Sequence, residues 1–449
     1  MPAKSAGAIE AKFGEALKLH RQGKTIAARR LYLAILRARP NHPGALHFLG
    51  FLAHQSGDSE TAVRLMRTAI QHQPDYANAI KNLGNVLLET EQFSEAEKSY
   101  RKVIELKPDD ATAYSNLCVA LRHQDRYKES IKAGRNAVSL VSDYPVAWFN
   151  LGNTYKVARD YKNAIECYEQ AIRIDPEFSP AHDSLCQSIF RLEKKGYLSR
   201  KTWKKSIRAY EHWLQCVPDS PVAAFMLKAI KGEEDLTRAP DTVIRSLFDQ
   251  SAPNFEHRLD TLEYKVPELI GVTLERRLAK PGGMLAVLDG GCGTGLCAPF
   301  LRAYASKLTG VDLSSGMLEK ARNRQLYDEL IETELTSYLA ENPLAFDLIV
   351  FSDTLCYFGD LAEIMTASTG ALRPGGVLAY SAERMTWKND AKGYRLHPHG
   401  RYSHSKSYLA SLMSAEGFSE AEYTDVTLRM EIGEKVAGLI VSAVLPSPH

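Results

Sequence analysis

The chain has 449 residues, 45% hydrophobic and 24% charged, which suits two or more domains with their own cores and excludes disorder or a fibrous class. Its 56 basic residues balance 54 acidic ones for a net charge of +2, so nothing global argues for nucleic acid or an anionic membrane. No apolar run approaches the roughly 18 residues of a membrane helix, and the N-terminus lacks the apolar core of a secretory signal. Seven cysteines lie scattered, without C-x-x-C or Cys/His metal spacing, which predicts a cytoplasmic protein with no metal site.

In chain order, the first half repeats. Pro40, Pro74, Pro108 and Pro176 fall at multiples of 34 residues, with Ser142 in the vacant slot. Gly50, Gly84 and Gly152 each follow a leucine in a second register, where Cys118 replaces the missing glycine. Ala28, Ala62, Ala96 and Ala164 keep a third, and Tyr32, Tyr100 and Tyr168 sit one helical turn beyond three of those alanines. Small residues let two helices approach closely, aromatics fill the gap between units, and the proline ends the second helix. This is the period of a helix–turn–helix solenoid, and the array resembles tetratricopeptide repeats over about residues 8–218. The third repeat departs from the pattern at Cys118, Ser130 and Gly134, and the last is stretched by Lys194-Lys195-Gly196. Val222–Ile230 is expected to cap the open end of the stack.

Asn82, Asn116 and Asn150 share the same step, and Asn85 and Asn153 share another. In tetratricopeptide arrays these positions lie on the first helix of each unit and line the concave groove. An amide side chain both donates and accepts, so such a row can clamp a peptide backbone without reading its side chains. It is similar to the asparagine ladder of protein glycosyltransferase repeats. The alternative is that these asparagines only join neighbouring units.

Lys231–Pro240 is polar, charged and ends in proline, which sets the expected domains at 8–232 (solenoid), 233–241 (linker) and 242–446. Asp241–Leu278 reads as mostly helical, with Pro267 opening a helix. It either pads a sheet or lies over a ligand, with Tyr264 or Phe255 as the lid.

The apolar run Met284–Leu288 leads into Asp289-Gly290-Gly291-Cys292-Gly293-Thr294-Gly295, and a second strand is expected to end at Gly310-Val311, before Asp312. Strand, acidic glycine-rich turn, helix, strand and acid is how an α/β sheet holds an adenosine-bearing cofactor at its carboxyl edge. Gly293-Thr-Gly295-Leu-Cys-Ala298 formally fits a dinucleotide fingerprint, but Asp289 would sit close to a pyrophosphate meant for the helix N-terminus. S-adenosyl-L-methionine has no phosphate, and its ammonium and sulfonium suit an acidic turn. Three further motifs follow in order: Gly310-Val-Asp-Leu-Ser314 with Met317, Phe346-Asp-Leu-Ile-Val350, and Leu372-Arg-Pro-Gly-Gly-Val-Leu378. With them, the segment from about Asp241 to Leu445 resembles the class I S-adenosylmethionine-dependent methyltransferases.

The resemblance implies that Asp289, Gly291 and Gly293 hold the methionine end, while Gly295 serves the turn. Asp312 would accept from both ribose hydroxyls, Leu313 and Met317 would pack on the adenine, and Glu334-Leu335, with Glu332 as rival, would meet the adenine amine. Ser352 and Asp353 would end the fourth strand between cofactor and substrate. The implied fold is an N-terminal α-solenoid followed by a doubly wound, seven-stranded α/β domain whose final strand is antiparallel. Strands are expected at Leu348–Ser352, Val377–Ser381, Ala421–Met430 and Lys435–Val444, with a turn at Arg373–Gly376 and a helix at Lys406–Ala415.

Gly393–His404, with Tyr408 beyond, holds two arginines, three histidines and several tyrosines, more than solvation of a loop requires, and is expected to roof the acceptor. Arg395 and Arg401 can fork onto a carboxylate or phosphate, with His397, Tyr402 and Tyr408 as further substrate contacts. His404 is a candidate base; Tyr357 and Asp353 are candidates from the other wall, a base being needed only when the acceptor must lose a proton. The domain order resembles bacterial tetratricopeptide-repeat methyltransferases. That implies a protein or peptide substrate brought by the repeat groove, with a carboxylate as one form of acceptor. The rivals are a small-molecule acceptor, the repeats then serving homodimerisation or partner docking, and a non-catalytic scaffold.

Overall fold

The computed structural model describes residues 3–195, 203–233, 236–252, 255–260, 262–278, 281–385, 392–431 and 433–447. Gly196 of the expected insertion and Glu234-Asp235 of the expected linker lie outside them. The chain divides into two units, Met1–Ala209 and Tyr210–His449, and the helix Pro221–Lys231 counts with the second. Among the described residues no helix is long and apolar enough to cross a membrane.

In the first unit, helix pairs repeat: Pro43–Gln55 with Ser59–His72, Ala77–Glu89 with Phe93–Leu106, Ala111–Arg122 with Tyr127–Leu140, and Pro145–Val157 with Tyr161–Ile174. The second helices end just before the proline slot, because the residue preceding a proline avoids helical geometry. Tyr100 and Tyr168 are fully buried against Gly84 and Gly152 of their own pair, where an added Cβ would come within 2.9 Å and 2.7 Å of the ring. These aromatics therefore fill space within a unit rather than between units.

The third repeat solves the same packing in reverse. Cys118 stands at the glycine register and Gly134 at the tyrosine register, and a Cβ on Gly134 would meet Cys118 Sγ at 3.1 Å. Ser130, at the alanine register, donates to Cys118 O at 2.7 Å. The turn inside each pair also keeps the period, with left-handed φ at Gly23, Gly57, Glu91, Asp125 and Arg159.

The second unit holds a seven-stranded sheet. Its strands are β1 (Leu285–Gly290), β2 (Ala305–Asp312), β3 (Glu329–Glu332), β4 (Phe346–Phe351), β5 (Leu372–Glu383), β8 (Ser419–Glu431) and β9 (Glu434–Val444); β6 (Tyr394–Leu396) and β7 (Tyr402–His404) form a separate pair. The order is β3-β2-β1-β4-β5-β9-β8, parallel through β5, with β9 antiparallel to both neighbours. This is the expected doubly wound architecture. Val287 and Leu348 enter one core while Leu288 and Ile349 enter another, so the central strands are buried on both faces and read as apolar runs.

Two segments differ from expectation. Strand β5 starts at Leu372, and the Arg373–Gly376 turn is absorbed as a bulge: Phe346 pairs with Leu372, but Leu348 pairs with Val377. The stretch Gly393–His404, expected as a loop, folds as the β6–β7 hairpin.

Candidate active site

Chain crossovers leave β1 and β4 toward opposite edges of the sheet, which opens a crevice beyond their carboxyl ends. The turn after β1 has left-handed φ at Gly291 (71°), Gly293 (54°) and Gly295 (81°), which no β-carbon-bearing residue adopts readily. Gly291 N and Cys292 N donate to Val311 O, tying the turn to β2. Gly293 N donates to Asp312 Oδ2 at 2.8 Å, and Ser314 N to Asp312 Oδ1 at 2.9 Å. Burial raises the Asp312 pKa against those backbone donors. Asp289 is fully buried; its Oδ2 accepts from Tyr327 at 2.7 Å, and burial lifts its pKa to about 7.

A strap preceding the sheet closes the crevice. Ala239 N donates to Tyr357 O at 2.8 Å and Gly359 N to Thr237 O at 2.7 Å, so the segment expected as a linker runs along the cavity. Arg238 lies over the Phe358 ring and pairs with Glu334 at 3.1 Å. The helix Asp241–Ser251 follows, and its Asp249 accepts from Ser314 Oγ at 2.5 Å and from Gly316 N at 3.3 Å. Ile244, Phe248, Phe255, Leu259, Leu262 and Tyr264 line the cavity from this side. Both expected lid residues, Tyr264 and Phe255, are thus in its wall.

The opposite end is a buried charge cluster. Arg429, 1% exposed, pairs with Asp353 at 3.4 Å, with Glu431 at 2.9 Å and with Glu383. Arg401 Nη1 lies 3.4 Å from Glu383, 3.8 Å from Asp353 and 3.9 Å from Glu431, and its guanidinium covers the Tyr357 ring. Burial works against ionising each carboxyl. For Glu383 and Glu431 the two arginines prevail, taking Glu431 down to about 2. For Asp353 burial prevails and its pKa is raised. Asp353 also holds a left-handed φ of 58°, a strained conformation for a non-glycine residue of the kind that clusters at functional sites.

Of the residues singled out from sequence, Gly291, Gly293, Asp312, Leu313, Glu334, Leu335, Ser352, Asp353, Tyr357, Arg401 and Tyr264 share one cavity wall. Glu334 also caps the helix Leu335–Glu341 by accepting from Ser337 N at 2.7 Å. Met317 is fully buried, donates its backbone N–H to Ser314 Oγ, and is not in the wall. Asp289 and Gly295 belong to the same turn but are not among the residues of the wall.

The hairpin corrects several expectations, because pairing turns most of its side chains away from the crevice. His404 is fully buried with Nε2 at 3.0 Å from Gly359 O, and burial lowers its pKa to about 4. Tyr402 donates to Leu236 O and Tyr408 accepts from Leu361 N. His397 lies 2.7 Å from Ser403 Oγ. None of these, nor Arg395, lines the cavity. Sequence reasoning missed Arg429, Glu383, Glu431, Arg238 and Asp249. Glu383 had a signal, since it ends β5 as Asp289 nearly ends β1.

In the first unit the asparagines tie neighbouring repeats. The Asn82 amide meets His47 Nε2 at 2.8 Å, that of Asn116 donates to Asn85 Oδ1 at 3.0 Å, and that of Asn150 donates to Ser115 Oγ at 3.1 Å.

Residues 288–380 match the family described as Methyltransferase domain, and residues 53–121 and 145–178 match families described as Tetratricopeptide repeat. Malonyl-[acyl-carrier protein] O-methyltransferase of Salmonella typhimurium is 28% identical over 31% of this chain and 52% of its own length. Ubiquinone biosynthesis O-methyltransferase of Thiobacillus denitrificans is 29% identical over 31% and 67%. Methyltransferase-like protein 27 of Homo sapiens is 42% identical over 18% and 34%. The chain spans about half the length of the first of these curated relatives. Among solved structures, MamA is 25% identical over 38% of this chain and 95% of its own, with a TM-score of 0.34. The chain therefore joins tetratricopeptide repeats to a class I methyltransferase domain, and members of the matched family use S-adenosylmethionine.

The residues present fit that group. Asp289 Oδ1 is buried without a hydrogen-bond partner, an acceptor suited to a cationic donor. An added Cβ at Gly293 would meet nothing within 4 Å, which leaves room at the turn.

Proposed function

We propose that the second unit transfers a methyl group from S-adenosyl-L-methionine to a polar acceptor, and that the repeats recruit this acceptor as a protein or peptide. The observation that carries the reading is the single wall joining Gly291, Gly293 and Asp312 to Asp353, Tyr357 and Arg401. When bound, the cofactor supplies a methyl group already activated by a positive sulfur. This chain's residues then align the acceptor and exclude water. Asp289 and the glycine turn hold the methionine end, Asp312 the ribose, Leu313 and Leu335 the adenine, and Glu334 its amine. The apolar strap keeps solvent out.

Asp353 is the base in this reading: it lies in the wall, and burial raises its pKa, which makes it a better proton acceptor. Tyr357, stacked by Arg401, orients the acceptor. A carboxylate acceptor is the less favoured form, because Arg401 already faces three carboxylates; a hydroxyl or amine that must lose a proton suits Asp353 better. A cytoplasmic location belongs to the same proposal, in keeping with seven free cysteines.

A second reading follows from the names of the relatives, whose O-methyltransferase activities include ubiquinone biosynthesis: a small-molecule acceptor, with the repeats serving dimerisation or docking. Tritiated methyl transfer into a cell lysate, separated by size, distinguishes them. Label in protein or peptide supports recruitment by the repeats, whereas label confined to small metabolites supports the second reading.

A further inference from the structure

Between the helix Ser315–Asn323 and β3, the short stretch Arg324–Tyr327 braces the glycine-rich turn. Gln325 takes a left-handed φ of 56°, which bends the stretch. Arg324 Nε donates to Thr294 O at 2.6 Å, and Tyr327 Oη donates to Asp289 Oδ2 at 2.7 Å. The Tyr327 ring also lies against two glycines. A Cβ on Gly295 would come within 3.0 Å of it and one on Gly310 within 2.8 Å, so bare backbone at both positions lets the ring reach Asp289.

Asp289 is fully buried, and Tyr327 supplies the one hydrogen bond its carboxylate has among the described residues. Oδ1 has no partner. To hold a cationic ammonium the group must be ionised. Burial, with Asp312 adding a like charge, instead pushes its pKa up to about 7. Cys292 and Cys297, the other titratable groups beside it, are raised well above the ordinary thiol value by burial and stay neutral. The Tyr327 hydrogen bond acts in favour of the anion. Burial and the neighbouring carboxylate raise the Tyr327 pKa too, so the phenol keeps its proton and remains a donor. A charge-assisted bond to Oδ2 also restrains the carboxylate and leaves Oδ1 over.

We infer that Tyr327 is a positioning residue for cofactor binding: its hydroxyl holds Asp289 as an oriented carboxylate whose Oδ1 is kept for the ammonium group of S-adenosylmethionine. This rests on the role proposed for Asp289 and adds a residue that is not in the cavity wall.

Calorimetric titration of the full chain with S-adenosylmethionine, from pH 6 to pH 8.5, tests it. Tyr327→Phe keeps the ring against Gly295 and Gly310 and removes the hydroxyl. Binding is lost as pH falls through the Asp289 pKa, and in the variant that loss should begin at higher pH. The variant should therefore bind about tenfold more weakly than wild type at pH 6 and within about twofold of it at pH 8.5. Titration of the ligand's own amine is common to both proteins and cancels in the ratio. In an Asp289→Asn background, Tyr327→Phe should change the affinity by less than about twofold. A ratio that is the same at every pH, or an undiminished loss in the Asp289→Asn background, would assign Tyr327 a packing role alone and overturn the inference, with the role of Asp289 intact. Asp289→Asn binding as tightly as wild type at every pH would instead overturn the role of Asp289 itself.

Discussion

Arg429, near the end of β8, reaches Asp353 beyond the end of β4 at 3.4 Å, and both line the cavity that holds the glycine-rich turn. The arginine also binds Glu383 and Glu431, so Asp353 is fixed by a group that is itself fixed from two sides. That arrangement positions the carboxyl proposed as base and lowers its proton affinity, against the larger, opposite effect of burial.

Asp353→Asn should lower the methyl-transfer rate by roughly 10²–10⁴-fold, the range for losing a general base, while leaving S-adenosylmethionine affinity nearly unchanged. Wild-type rate should rise with pH through the elevated Asp353 pKa. Arg429→Gln removes a cation that lowers this pKa, so the acid limb of the pH–rate profile should move to higher pH. An unmoved limb would exclude Asp353 as the titrating base.

Asp289 should make the cofactor-free protein pH-sensitive. Folding raises its pKa from 3.8 to about 7, so between those values the folded state holds a proton that the unfolded chain has released. Stability therefore falls as pH climbs through this window, by on the order of 4 kcal/mol in all. Asp289→Asn should melt higher than wild type at pH 8 without cofactor, yet bind S-adenosylmethionine more weakly. Thermal melts across pH, with and without the cofactor, check both halves.

The strap should act as a latch through Asp249. Its carboxylate accepts from Ser314 Oγ and Gly316 N, charge-assisted bonds that hold the helix Asp241–Ser251 over Leu313. Asp249→Ala should speed S-adenosylmethionine dissociation about tenfold, the equivalent of about 1.4 kcal/mol, as read by stopped-flow fluorescence.

In the repeats, Arg159 occupies a left-handed turn position with φ 62° that Gly23 and Gly57 fill in earlier units. Arg159→Gly should stabilise the chain by about 1 kcal/mol. Asp125→Gly, at φ 58°, should gain less, because aspartate tolerates this region better than arginine. Melting temperatures of the two variants give the comparison.

The helix pairs and the strand–turn–strand around Asp289 are legible in the sequence, because local chemistry decides them. The 34-residue step fixed the helix pairs, and the run from Met284 to Asp312 placed the strands and the turn around Asp289. What stayed hidden depends on distant parts of the chain meeting. Arg429 follows a register irregularity between Thr427 and Arg429, so alternation along β8 misleads about the face it serves. Residue type alone makes His404 a candidate base, but pairing of β6 with β7 turns it into the interior. The boundary expected near Asp241 missed that Arg238 and Ala239 belong to the cavity wall, so a cut there would open the site. Polar composition marks a linker only when nothing folds onto it.

The most direct measurement is a calorimetric titration of the full chain with S-adenosylmethionine, repeated on Asp312→Ala. One site per chain in the wild type, and binding weakened at least about tenfold by the substitution, is the predicted result. No heat from the wild type, or an affinity unaffected by Asp312→Ala, would contradict it.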